Sequence, residues 1–114
     1  MKHFPDFMKN PANAIDSASQ SKGIAGYVFD GADRSQMAFW ECPQAGVSLE
    51  HTHGYDEYML VVEGLYTLII GGKRIPVTAG KEYLIPGGVS HAGEWSAGTR
   101  TIHTFGGPRA KRKE

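Results

Sequence analysis

From residue 26 onward, apolar positions come in short bursts, and the bursts are separated by glycine and proline. Gly26-Tyr27-Val28-Phe29 and Met37-Ala38-Phe39-Trp40-Glu41 read as two strands around an Asp30-Gly31-Ala32-Asp33 turn. Val47-Ser48-Leu49-Glu50-His51-Thr52-His53 alternates strictly, apolar or imidazole at odd positions and polar at even ones, which predicts a half-buried strand with its odd face inward. Further strands are expected over Glu57–Val62, Leu65–Ile70, Ile75–Val77, Glu82–Ile85, His91–Trp95 and Arg100–Phe105. Turn glycines at 64, 71, 80, 88 and 98 recur every seven to ten residues, and Gly71-Gly72 is a two-residue hairpin signal. No stretch keeps a helical period. Even spacing of short strands is the signature of a β-sandwich or barrel, so the expected class is all-β.

The flanks differ from this middle. Residues 1–22, with Asn10-Pro11-Ala12-Asn13 and Ser17-Ala18-Ser19-Gln20, read as a loop-like arm lying on the domain or on a partner. Residues 23–106 form the barrel. Residues 107–114, ending Arg109-Ala110-Lys111-Arg112-Lys113-Glu114, read as a frayed, solvated basic tail.

Composition narrows the function classes. A chain of 114 residues has room for one core. Twelve basic and twelve acidic residues leave no net charge, which argues against a nucleic-acid partner. One cysteine excludes an internal disulfide and any zinc site built on several cysteines. Cys42, next to Pro43, is expected to be inert. The start has no apolar leader and no run is long enough to span a bilayer, so a soluble cytoplasmic protein is expected, with no membrane partner.

The chemistry concentrates in His51-x-His53-x3-Glu57, followed by His91. Residues two apart on a strand share a face, so His51 and His53 project together, on the face that Val47 and Leu49 mark as interior. Glu57 shares parity with Met59 and Val61 and should also point inward. A carboxylate inside an apolar barrel costs several kcal/mol unless a cation or partner satisfies it. One divalent ion satisfies all of these groups. His91 follows Pro86-Gly87-Gly88, a turn that can swing it back to the same place. Three imidazoles and one carboxylate suit Fe, Mn, Co, Ni, Cu or Zn, and leave two positions open on an octahedral ion.

These residues resemble a known family. Gly46-x4-His51-x-His53-x3-Glu57-x6-Gly64 looks like the first cupin motif, and Gly80-x5-Pro86-x-Gly88-x2-His91 like the second. The resemblance implies a double-stranded β-helix, or jelly-roll, barrel. It also implies that His51, His53, Glu57 and His91 hold one divalent transition metal per subunit. The sequence departs from the family at two places. Four residues, where five are usual, separate the first Gly from His51, and Trp95 stands where the second motif ends in Asn, which implies a more apolar pocket.

Trp95, Phe39, Met59 and Tyr83 are the candidates for the substrate-pocket wall, while Tyr58, Tyr66 and Trp40 are read as packing residues. His103 on the last strand is a candidate acid or base, and Glu57 a second. Arg100 is a lesser candidate for a carboxylate clamp. Apolar residues on both faces of 57–62 and 65–70 need cover from the arm, a second subunit or both, and small cupins commonly form dimers, so a homodimer is expected. The resulting functional expectation is a metal-dependent enzyme acting on a small organic molecule. Dioxygenase-like oxidation comes first, with isomerisation or decarboxylation open. A non-catalytic small-molecule-binding or sensor protein is the alternative.

Overall fold

The computed structural model describes residues 2–16 and 24–113. Among them are nine strands: β1 (Ala25–Asp30), β2 (Gln36–Cys42), β3 (Gly46–His51), β4 (Glu57–Glu63), β5 (Leu65–Ile70), β6 (Lys73–Thr78), β7 (Glu82–Ile85), β8 (His91–Trp95) and β9 (Thr99–Phe105). Every strand expected from the alternation is present, several extended by a residue or two, but β3 ends at His51, so His53 lies in the loop after the strand and does not share a strand face with His51. The expected start of the barrel at residue 23 and the Ser17–Gln20 stretch lie outside the described residues. The arm's other loop-like stretch, Asn10–Asn13, contains a 3-10 turn at Pro11–Asn13, and a second such turn, Asp6–Lys9, precedes it.

The strands form a five-stranded sheet in the order β1-β2-β9-β4-β7 and a four-stranded sheet in the order β3-β8-β5-β6. All described strand pairs are antiparallel. The chain changes sheets at Gly64, between β4 and β5. This architecture, two facing antiparallel sheets, is the jelly roll.

The interior is filled unevenly. Met59, Val61, Leu68, Val77 and Ile85, from β4 to β7, pack into one solid cluster, with Tyr66, Ile75, Tyr83 and Val89 against it. Burying each of these large side chains stabilises the fold by about 1.5–3 kcal/mol before entropy is counted. Between β2, β3, β8 and β9 the sheets enclose a cavity of about 620 Å³ instead.

Two expectations give way here. Val47 and Leu49 do not mark an interior face: they are 55% and 83% exposed and form part of the cavity's rim. The pairing of β3 with β8 shifts between Ser48 and His51, so the strict alternation is broken by an irregularity that re-aims the strand. His51 therefore faces His91 across the sheet although Val47 and Leu49 before it are exposed.

The C-terminal tail is not frayed over its described length. The buried Gln36 side chain accepts from the backbone N–H of Arg109 (2.8 Å) and of Ala110 (2.7 Å) and donates to Ala110 O (3.1 Å). Arg112 donates to Asp30 Oδ2 (2.6 Å) and Val28 O (2.7 Å). Asp16 N–H donates to Lys111 O, and Lys113 N–H to Ala14 O. The tail thus lies on the N-terminal arm and β1, and Ala110 joins a cluster with Ile15, Val28, Ala38 and Phe105. A sequence reading weighs the tail's charges, whereas the cross-chain hydrogen bonds that hold it depend on Gln36, 73 residues away.

Candidate metal centre and cavity

Two loops bring the candidate ligands together. Gly88 N–H donates to His53 O (2.8 Å), and Gly87 N–H donates to Asp56 Oδ1 (2.8 Å). The Pro86–Gly88 turn is thereby tied to the His53–Asp56 turn. Gly87 lies so close that a Cβ there would sit 3.1 Å from the backbone of Gly54 and Tyr55. The latch places His91, at the start of β8, against Glu57, at the start of β4. One ligand atom from each of His51, His53, Glu57 and His91 lies within 4.8 Å of all the others.

The imidazoles are oriented by the backbone. His51 Nδ1 lies 2.9 Å from Leu49 O, His53 Nδ1 2.8 Å from Tyr55 O, and His91 Nδ1 2.9 Å from Val89 O. A carbonyl has no proton to give, so in each ring Nδ1 carries the hydrogen and donates. In the neutral ring this leaves the lone pair on Nε2, which is the tautomer a metal requires. His53 Nε2 lies 3.0 Å, and His91 Nε2 3.3 Å, from Glu57 Oε1.

The residues fit a divalent ion. With neutral rings, the Nε2 lone pairs face a carboxylate oxygen that also offers only lone pairs. Such a cluster needs a cation or extra protons. His91 Nε2 is buried and makes no hydrogen bond, an arrangement that is rare unless something else fills the gap. Separations of 3.0 and 3.3 Å also suit two donors at right angles on one ion with bonds of about 2.1 Å. Burial alone would raise the Glu57 carboxyl. The His103 hydrogen bond and the proximity of the His91 and His53 rings outweigh that and hold it well below the usual carboxylate range. Glu57 is therefore an anion at neutral pH.

His103, on β9, supports this carboxylate from the other side. Its Nδ1 lies 2.7 Å from Glu57 Oε2. With Nδ1–H donating, Oε2 is occupied and Oε1 is the oxygen turned toward the imidazoles. His103 and Glu57 both line the cavity.

The structure sorts the pocket candidates. Trp95 lines the cavity, its indole N–H donating to Gln44 O (3.1 Å) and its ring stacked on Tyr66. Phe39, Met59 and Tyr83 do not line it. Phe39 is on the outer face of the five-stranded sheet, where it meets Phe4 and Phe29 edge-on. Met59 is sealed in the solid cluster, and Tyr83, opposite it on edge strand β7, packs against the same cluster. Arg100 is no clamp for a ligand here: it ion-pairs with Glu63 (3.1 Å) and its guanidinium lies over the Phe4 ring, outside the cavity lining.

Trp40 and Tyr66, read as packing residues, line the cavity with Phe105, Thr101 and Arg109. For Trp40, a signal existed in the sequence: two residues before Cys42 and two after Ala38, it shares their face. For Tyr66 the signal is glycine. A Cβ at Gly93 would fall 2.1 Å from the Tyr66 hydroxyl, so Gly93 vacates the space its ring occupies. Cys42 also lines the cavity, but burial, together with the charge of Glu41, pushes its thiol up to about 12, so it is protonated and a poor nucleophile at neutral pH.

Known structures share this architecture. An RmlC-like cupin from Shewanella frigidimarina is similar, with a TM-score of 0.69 and 19% identity over 90% of this chain and 86% of that one. KdgF from Halomonas sp. superposes with a TM-score of 0.67 and 17% identity, covering 82% of this chain and 84% of that one. The polyketide cyclase RemF from Streptomyces resistomycificus gives 0.65 and 22%, covering 86% and 69%. At these identities the likeness concerns the fold. No curated protein sequence matches the chain significantly. A sequence model of the cupin domain matches residues 38–103. With more than half of its length in that match, the two-sheet jelly roll and the clustered His51, His53, Glu57 and His91, the chain belongs to the cupin family.

Proposed function

We propose that this cupin is a metal-dependent enzyme acting on a small organic molecule in the cavity beside the cluster. The observation that carries the reading is the convergence of three oriented imidazoles and one ionised carboxylate, of which His51 and Glu57 line a 620 Å³ cavity walled largely by apolar groups. His51, His53, Glu57 and His91 would hold one divalent transition metal. When bound, the ion would supply a Lewis acid with positions open to small molecules. Oxidation with dioxygen is the leading reaction class, and isomerisation or decarboxylation uses the same residues.

This chain's own part is proton handling and water exclusion. With its Nδ1–H donating to Glu57, the neutral His103 ring keeps a lone pair on Nε2 and can take a substrate proton. The charge of Glu57 then stabilises the imidazolium that forms. Trp40, Tyr66, Trp95 and Phe105 keep the cavity wall dry, which strengthens such interactions.

The test begins with elemental analysis of untagged protein purified without added metal. About one equivalent of a transition metal per chain is expected, together with metal-dependent turnover of small-molecule candidates. Oxygen uptake that accompanies turnover supports oxidation, whereas turnover without uptake moves the assignment to isomerisation or decarboxylation. Metal bound with no turnover across a broad panel favours a binding or sensor role. Protein that takes up no metal on titration overturns the reading.

The outer sheet face supports a homodimer. Phe4 of the arm covers Phe39, but Leu84 and Met37 stay 56% and 44% exposed beside Tyr58 on a shared groove. Light scattering at micromolar concentration is expected to give twice the chain mass, and a monomer there rejects the assembly.

A further inference from the structure

Arg109 is the cation in the cavity wall. Its backbone is fixed, because Gln36 accepts from its N–H and grips Ala110 beyond it. Its side chain takes no part in that grip. Among the described residues no acidic group pairs with its guanidinium, in contrast to Arg74, Arg100 and Arg112, which pair with Glu94, Glu63 and Asp30. It shares the cavity lining with His51 and Glu57 of the candidate metal cluster. A second polar group is unspent. Thr101 Oγ1, 1% exposed as a residue and on the same cavity wall, has no hydrogen-bond partner. The rest of the lining is largely apolar, including Trp40, Trp95, Val47 and Leu49.

An unpaired guanidinium beside an apolar cavity is matched by a ligand with an anionic head and an apolar body. A planar carboxylate meets the guanidinium fork with two parallel hydrogen bonds. We propose that the cavity takes an apolar monocarboxylate, with Arg109 holding its carboxylate and Thr101 offering a hydrogen bond deeper in. This names the substrate class for the functional reading above and rests on the cavity being the substrate site. The tail then supplies a specificity residue, which explains why Gln36 is buried to anchor it.

The test uses the protein's own reporters, since both of its tryptophans line the cavity. Intrinsic fluorescence is titrated with phenylacetate, 3-phenylpropionate and their neutral amides, on metal-free and metal-loaded protein. Both acids are expected to bind metal-free protein at least tenfold more tightly than their amides. Arg109→Gln is expected to abolish that preference with thermal stability unchanged, and Arg109→Lys to restore part of it. Thr101→Val should weaken acid and amide alike. Equal affinity for acid and amide in the wild type, or no binding of either acid, overturns the proposal. So does an acid preference that survives Arg109→Gln, or one that appears only with metal, which would put the carboxylate on the ion. Because the metal-free arm needs no turnover, a failed clamp and a failed metal enzyme are told apart.

Discussion

Glu57→Gln is expected to lower affinity for a divalent transition metal by more than the roughly 100-fold seen when a supporting hydrogen bond is disturbed. The change keeps shape and size and removes one charge. It leaves three imidazole Nε2 atoms near one another but takes away the anion that draws a dication into a buried place. His103→Gln, which touches only the bond to Oε2, should cost about tenfold. Calorimetric titration with Co²⁺ or Mn²⁺ reads both. Equal affinity in wild type and Glu57→Gln would falsify the ligand assignment.

The same variant has a signature without metal. Because the native state holds the Glu57 carboxyl below its ordinary value of 4.5, its contribution to stability is present above that pH. It is lost as pH falls through the lower folded value. Wild-type metal-free protein should therefore lose stability on acidification below about pH 4.5 more steeply than Glu57→Gln. Metal binding weakens at a higher pH. At His91, burial works against protonation, but Glu57 and Val89 O outweigh it and raise the imidazole, so protons compete for that ring from above its usual 6.5.

Gly64→Ala should give the largest loss of stability among single-methyl additions at the turn glycines. Gly64 has φ +87°, and a Cβ there would lie 2.8 Å from the Thr99 Cα, which is backbone and cannot swing aside. The left-handed conformation costs a side chain about 1–2 kcal/mol, and overpacking adds roughly 1–3 kcal/mol. The site is also a structural joint. Here the chain leaves one sheet for the other, and Thr99 Oγ1 clamps it, accepting from Leu65 N–H (3.1 Å) with Leu65 O 3.2 Å away. A loss of roughly 2–5 kcal/mol is a large part of a typical 5–15 kcal/mol, and should lower Tm by about 10 °C or more. Gly98→Ala is the control: φ is +85° but nothing lies within 4 Å of its Cβ, so only the conformational cost applies. Thermal unfolding of the two variants isolates the Thr99 contact, and equal Tm values would deny it.

Much of this protein is written in local pattern. Strand positions follow from alternation and glycine spacing, because a pleated strand shows opposite faces at successive residues and a turn needs φ values that glycine alone takes easily. The candidate ligands were legible because imidazoles and a carboxylate at spacings two and four sit on or beside the barrel strands, where a cation suits them together. The argument from Val47 and Leu49 nevertheless picked out histidines that do cluster, though through a wrong face, since the shifted pairing after Ser48 cannot be seen in the spacing of one strand. Which side chains line the cavity was decided only in three dimensions. Phe39 differs from Trp40 by one position and one face, Met59 is sealed where Tyr66 is not, and Arg109 reaches the site through a tail held by Gln36. Alternation along a strand is a property of neighbouring residues. Whether its inner face meets packed side chains or open space depends on the opposite sheet, whose residues lie tens of positions away.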